Sequence, residues 1–483
     1  MSDIHYASIQ EIHQFYKNKQ LTVRNLVLKY LSRIAEIDKC ENGLNSVLEI
    51  NPDVLFIADM FDKMLEYGEE LPPLFGIPVL LKDNVNTADK LHTSAGSVAL
   101  AYNYAPYDAH IVKCLRDAGA IILGKANMTE FANYMAENMP SGYSSRGGQT
   151  LNPYNKNADP SGSSTGSAVA VAADLCTVAV GTETCGSIIS PSLANGIVGI
   201  KPTLGLLSRH GIIPISFTLD TPGPMARSVT DAAILLSVMA GKDENDPATI
   251  HSQPIDYTQY LDKNGLTGMR IGISRIFTEQ SDKDYQEQME NIVTLMKRHG
   301  ADCVEIPEEP IKIFDKFGVI MKNEFKCGIN SYLASLKNSN ANVPHNLEEI
   351  ILFNQNHSKE ALKYGQSTLI NAQNNASGTL TEPEYINTIL AREEIIRAFD
   401  NLFLENNVDV IFVLAGGLGT PAFTGFPGMT IPVGMGKEHL PVGSFWTARR
   451  FDEAKLIKVT YAVEQILNVN LKPELNQNID DIK

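Results

Sequence analysis

Near the start of the chain, apolar residues recur in steps of three and four, the period of a half-buried helix. Val23, Leu26, Val27, Tyr30, Leu31 and Ile34 form one such stripe, with Thr22 placed to cap it. Just upstream, Ser8 and Glu11 stand at capping-box spacing. The period then changes. Apolar runs bounded by turn residues predict strands at GIPVLLKDN, which carries Lys82 at its C-terminal end, and at AIILGK (120–125), CTVAVGT, MRIGISRI and VDVIFVLAG. Helices are predicted over 109–117, around Thr129–Met135, over SAVAVAADL and over Tyr285–Arg298. The region from about 310 to 405 reads as mostly helical, broken by Asn-rich stretches at 337–346 and 371–377. Two stretches lack any period. One is the polar, Gly/Ser/Asn/Pro-rich segment from Met139 to Gly166, and the other is the Gly/Pro-rich run that follows VDVIFVLAG through PVG; both are predicted as loops. Residues 241–266 read as a surface connection, and the terminal PELNQNIDDIK as a frayed tail. Strands alternating with helices, without internal repeats, predict an α/β architecture around one central sheet.

Composition narrows the function more than the fold. The chain has 483 residues, of which 43% are hydrophobic and 20% charged, an ordinary globular balance. A formal net charge of −16 disfavours nucleic acid or an anionic lipid surface as the principal partner. There is no apolar run of about 18 residues, so no membrane-spanning helix is expected, and no secretory leader pattern opens the chain. Cys40, Cys114, Cys176, Cys185, Cys303 and Cys327 form no C-x-x-C pair and read as reduced thiols of a cytoplasmic protein. The ten histidines fall in no metal-binding pattern. A cofactor-free, metal-free enzyme fits, though composition alone does not separate an enzyme from a binding protein.

Candidate chemistry concentrates in two Ser/Gly-rich turns. Gly162-Ser163-Ser164-Thr165-Gly166 matches G-x-S-x-G, with Ser164 as its nucleophile. That motif needs an apolar strand directly before it, and NPYNKNADP is not one. The two turns SGSSTGS and TETCGS instead flank a predicted helix–strand unit. Small residues there leave consecutive N–H groups free to face a tetrahedral oxyanion. Ser187 closes the second turn and lacks a histidine nominated as its base. Lys82, at the end of an apolar strand, is the alternative. Neutrality near pH 7 would need a pKa shift of roughly three units, about 4 kcal/mol of differential solvation. Read in isolation, Lys82 is first a strand-end surface lysine, the usual place for lysine, and both serines are first turn or cap residues.

Taken together, the segments GIPVLLKDN, TSAGSVAL, GKANMTEFAN, RGGQTLNPY, SGSSTGSAVAVAA, VGTETCGSI, NGIVGIKPTLGL, DTPGPMARSVTDAA and FPGMTIPVG resemble the amidase-signature family, in its stand-alone bacterial-type branch. The resemblance implies a mixed, twisted central β-sheet flanked by helices, with 1–475 as one amidase-signature domain and 476–483 as a polar tail. It places the catalytic lysine at Lys82, the cis-serine at Ser163 and the nucleophile at Ser187. The backbone N–H groups of Thr184, Cys185, Gly186 and Ser187 then form the oxyanion hole. It further implies a small-molecule carboxamide as substrate, no cofactor and a homodimer as the assembly. Glutamine hydrolysis within a glutamyl-tRNA amidotransferase-type complex, or a catalytically weak binding or scaffold protein, are the rival functions. Ile189 stands where many members carry arginine, which argues against the amidotransferase branch. Ser161 and Thr165 replace glycines, Glu183 replaces aspartate, and Cys185 replaces an aspartate of the stand-alone branch. Cys185 is also a rival nucleophile, Asp83 a candidate for orienting the site, and Arg146 and Gln149 either line the pocket or hold their loop.

Overall fold

The computed structural model describes residues 4–66, 71–276, 283–307, 313–336, 343–414 and 416–475. The predicted tail 476–483 and residues 337–342 of the first Asn-rich break lie outside the described residues. The strands are β1 (Val47–Ile50), β2 (Pro78–Lys82), β3 (Ile121–Ala126), β4 (Tyr143–Ser144), β5 (Gly148–Gln149), β6 (Val178–Glu183), β7 (Val198–Lys201), β8 (Thr221–Ala226), β9 (Arg270–Ser274), β10 (Asp302–Glu305), β11 (Val410–Leu414), β12 (Gly428–Met435) and β13 (Pro441–Ala448). All except the β4–β5 ladder join one eleven-stranded sheet in the order β1-β3-β2-β6-β8-β7-β12-β13-β11-β9-β10. The sheet is mixed: β2 runs parallel to β3 and β6, and β8, β7, β12 and β13 follow antiparallel.

Strands β2, β3 and β6 are buried at every residue, which is why each reads as a continuous apolar run rather than an alternating one. Val79, Leu80 and Leu81 are fully buried, each side chain contributing about 1.5–3 kcal/mol by leaving water. The cap signals correspond to real helix starts. Thr22 accepts from the Asn25 N–H ahead of helix Val23–Arg33, and Ser8 and Glu11 form a complete capping box ahead of Ile9–Lys17.

Several expectations need correction, among them the break at 371–377, most of which lies in helix Ser367–Asn375. The segment predicted as a helix around Thr129–Met135 is a short 3₁₀ turn, Glu130–Asn133, with Phe131 and Ala132 at φ 47° and 54°. Its donors are used elsewhere, Thr129 N–H on Ser163 O and Phe131 N–H on Ala95 O, so no helical ladder forms. The Gly/Pro-rich run after β11 is not a loop but helix Gly419–Thr424 followed by β12. Pro432 fits that strand because it lies beyond the β7 pairing, at the register shift against β13. Residues 241–266 are partly inward-facing: Asp243, Asp246, Thr249 and Ser252 are buried, while Ile250 is exposed.

Candidate active site

Strand β2 delivers Lys82 to the C-terminal end of the parallel β3–β2–β6 segment, with no solvent exposure. Its ammonium nitrogen lies 2.7 Å from Ser163 Oγ, 2.9 Å from Ser164 Oγ and 3.0 Å from the carbonyl of Thr182 at the end of β6. Both serines belong to the turn ahead of helix Thr165–Ala172, where the Gly162–Ser163 peptide is cis. Close approach at this point depends on Gly181, where an added Cβ would stand 2.8 Å from Ser164 Oγ. Burial pulls the Lys82 pKa from 10.5 down to about 7, with the charges of Asp220 and Glu183 opposing the shift.

Ser187 is tied to this pair through the backbone: the Ser164 N–H donates to Ser187 O at 3.1 Å. Lys82 and Ser163 are sealed, whereas Ser187 retains 8% exposure. Among the described residues its hydroxyl has no hydrogen-bond partner, and Lys82 is bonded to Ser163. The turn carrying Ser187 is braced on both sides. Glu183 Oε2 accepts the N–H groups of Ile188 (2.7 Å) and Ile189 (3.0 Å), and Thr184 Oγ1 donates to Asp220 Oδ1 at 2.5 Å. Asp220 Oδ2 accepts from Ile215 N–H and Ser216 N–H, and burial raises this carboxyl to about 6. Gly186 adopts φ +87°, a conformation that glycine takes without steric cost. The N–H groups of Thr184, Cys185, Gly186 and Ser187 donate to no acceptor among the described residues.

Comparison with known proteins shows the family. A family model described as Amidase matches residues 25–424. The chain belongs to the amidase family. It is 36% identical to a probable amidase of Arabidopsis thaliana, over 98% of this chain and 92% of the relative. The crystal structure of native peptide amidase from Stenotrophomonas maltophilia superposes with a TM-score of 0.91 at 38% identity, covering 98% of this chain and 99% of that one. A glutamyl-tRNA(Gln) amidotransferase component of Alkaliphilus metalliredigens is 32% identical over 96% of this chain and 97% of its own length. The fold is therefore the amidase-signature fold, and the protein is an amide-hydrolysing enzyme.

The other candidates of this amidase separate by what they touch. Ser164 Oγ donates to Thr182 O and accepts from Thr182 N–H and Lys82, so it staples the turn to β6. Asp83 faces the 94–96 loop, accepting from Ser94 and from Gly96 N–H, and is absent from the immediate surroundings of the Lys82 amine. Arg146 binds Glu49 at 2.7 Å, and Gln149 binds the carbonyls of Ser141 and Thr150; both hold loop structure. Cys185 packs against the cluster containing Leu219, Phe317 and Phe423, and burial pushes its thiol up to about 12. A thiol held protonated is a poor nucleophile, which disfavours the rival reading. Thr165 Oγ1 donates to Ser161 O, a turn-closing bond that glycines at these positions would lack. Ile189 is fully buried in an apolar cluster with Phe426 and Phe445.

Two features escaped the sequence reading. Asp220 opens the DTPGPMARS segment, yet its partners Thr184 and Ile215 lie in separate motifs. A cavity of about 420 Å3 adjoins the braced turn, lined by Thr182, Thr184 and Asp220 and by the 212–217 segment. Lys82, Ser163 and Ser187 lie outside its lining. All six cysteines are free thiols, and no helix among the described residues is long and apolar enough to cross a membrane. No group of three or more His, Cys, Asp or Glu side chains among the described residues is arranged to hold a metal ion.

Proposed function

We propose that Ser187 is the nucleophile, Ser163 the proton relay and Lys82 the base of an amide hydrolysis that proceeds through an acyl-enzyme. The observation that carries this reading is the buried Lys82 amine 2.7 Å from Ser163 Oγ, with a pKa near 7 that leaves much of it neutral at physiological pH. Ser163 passes its own proton to the Lys82 lone pair as it takes the proton of Ser187, whose oxygen bonds to the carbonyl carbon. The carbonyl oxygen then bears the negative charge against the N–H groups of Thr184, Cys185, Gly186 and Ser187. Collapse breaks the C–N bond, and the proton held on Lys82 returns through Ser163 to the departing nitrogen. Water, activated along the same route, cleaves the ester and releases the carboxylic acid.

For the substrate we favour a peptide amide, on the strength of the peptide amidase likeness at 38% identity over nearly both chains. The amidotransferase component is a more distant relative at 32% identity. Six free thiols suit a reducing compartment, and we place the enzyme in the cytoplasm. The test is turnover across aliphatic, aromatic and peptide amides by the native protein and by Ser187→Ala. Ammonia release by the native chain alone, abolished in Ser187→Ala, is the expected result. Equal turnover by both proteins would remove Ser187 from the reaction, and turnover only with a co-purifying partner protein would favour the amidotransferase reading.

A further inference from the structure

The cavity beside Thr184 is bordered by an unusually well-anchored segment, residues 215–218. Asp220 accepts the N–H groups of Ile215 and Ser216. The buried carboxylate of Glu324, from helix Phe314–Ser335, accepts from Ser216 Oγ, from Thr218 Oγ1 and from Thr218 N–H at 3.0 Å, and is itself held by Tyr385 OH at 2.8 Å. The Arg209 guanidinium donates to the carbonyl of Phe217. Between these anchors Phe217 leaves 39% of its surface exposed at the cavity wall. An exposed aromatic ring on backbone fixed by two carboxylates and an arginine, and belonging to none of the buried apolar clusters among the described residues, is a presented surface.

The charges around the cavity point the same way. Arg209 is consumed by Asp246, through Nε at 2.8 Å and Nη2 at 2.5 Å, and Asp220 by its three donors. His210 stacks on Tyr107 and faces Asp243. Among the described residues the lining thus holds no uncommitted cation to receive a carboxylate, while Ile213, Ile215 and Phe217 supply apolar contact. We propose that this cavity is the acyl-side specificity subsite, with Phe217 selecting amides whose residue next to the scissile carbonyl bears a large apolar or aromatic side chain. The inference rests on Ser187 as nucleophile. Thr184 is both a cavity wall and part of the Ser187 turn, and the amine side of a primary amide is only NH2, so the space serves the acyl side.

The experiment compares kcat/KM for the N-acetyl amides of phenylalanine, leucine, glycine, aspartate and lysine. The native enzyme is expected to favour the phenylalanine and leucine amides over the glycine and aspartate amides by about tenfold or more, the discrimination reached by a hydrophobic pocket. Phe217→Ala should cut the phenylalanine-to-glycine ratio about tenfold, through KM more than kcat, and Phe217→Leu should largely restore it. Phe217→Lys should raise the aspartate amide relative to the phenylalanine amide. A native enzyme indifferent to the side chain, or a Phe217→Ala variant that slows all five amides equally, would overturn the subsite while leaving the nucleophile assignment standing. Undiminished turnover in Ser187→Ala would remove both.

Discussion

Two buried lysines stand on neighbouring strands of the sheet, and their amines face different surroundings. Lys82 ends β2 and Lys125 lies on the neighbouring β3, where it pairs with Leu81. Neither is exposed, and burial lowers both, Lys82 to about 7 and Lys125 to about 8. Their partners differ. The Lys125 amine donates to Val85 O at 2.6 Å and to Thr93 Oγ1 at 2.9 Å, with Asp83, Asp89 and Glu49 nearby, and the Thr93 proton is itself directed at Val85 O. Both groups that its amine bonds to are fixed acceptors, so Lys125 ties two loops together. The Lys82 amine also meets fixed acceptors, Thr182 O and Ser164 Oγ, whose own proton goes to Thr182 O. Its third neighbour is Ser163, whose proton has no other acceptor among the described residues and which adjoins the Ser187 turn. A depressed pKa therefore does not make a base. On the reading proposed above, what makes Lys82 a base is the uncommitted Ser163 hydroxyl beside its amine.

The largest expected effect separates the two lysines outright. Lys82→Ala should lower kcat by about a thousandfold or more, on the scale of losing a member of a catalytic triad. Lys82→Arg should not rescue it, because a guanidinium stays protonated and has no lone pair to offer. Lys125→Met should retain kcat within about tenfold, while urea melts show a loss of roughly 2–3 kcal/mol from the Val85 carbonyl and Thr93 hydroxyl left without their buried donor. If Lys125→Met proved catalytically dead yet fully stable, the distinction would fail. A smaller effect is expected at Ser164: Ser164→Ala removes one acceptor that orients the Lys82 amine, and kcat should fall about tenfold, the scale of one buried hydrogen bond. Smallest of all, Cys185→Ala should change kcat by about twofold, measured alongside Ser187→Ala as the inactive control.

Only the Lys82 side of this contrast is legible in the sequence, where nothing distinguishes Lys125 from the rest of its strand run. The apolar runs of β2, β3 and β6 announce strands buried on both faces, and the lysine, cis-serine and serine positions stand in segments whose order and spelling match the family. Pattern failed where the backbone makes local compromises. Strand β8 reads TPGPMA, yet it pairs with β6 along its length, and β7 runs beside only Met225 and Ala226, so the prolines break no ladder there. The mistaken helix at Thr129–Met135 has suitable residues, but Glu130 turns inward to bind Ser145 and its neighbours bond across to other loops. Contacts such as Glu324 with Ser216 and Thr218, or Asp220 with Thr184, join segments far apart in sequence through single polar atoms, and no periodicity records them.

The central claim, that neutral Lys82 activates Ser187 through Ser163, is tested most directly by the pH dependence of Ser187 labelling with a fluorophosphonate, followed by intact mass. A base must be deprotonated to act, so the labelling rate should rise with pH through a midpoint near 7, the lowered pKa of Lys82, and Lys82→Arg should lose the limb together with the labelling. A rate that is flat across pH 5–9, or a midpoint that persists in Lys82→Arg, would contradict it.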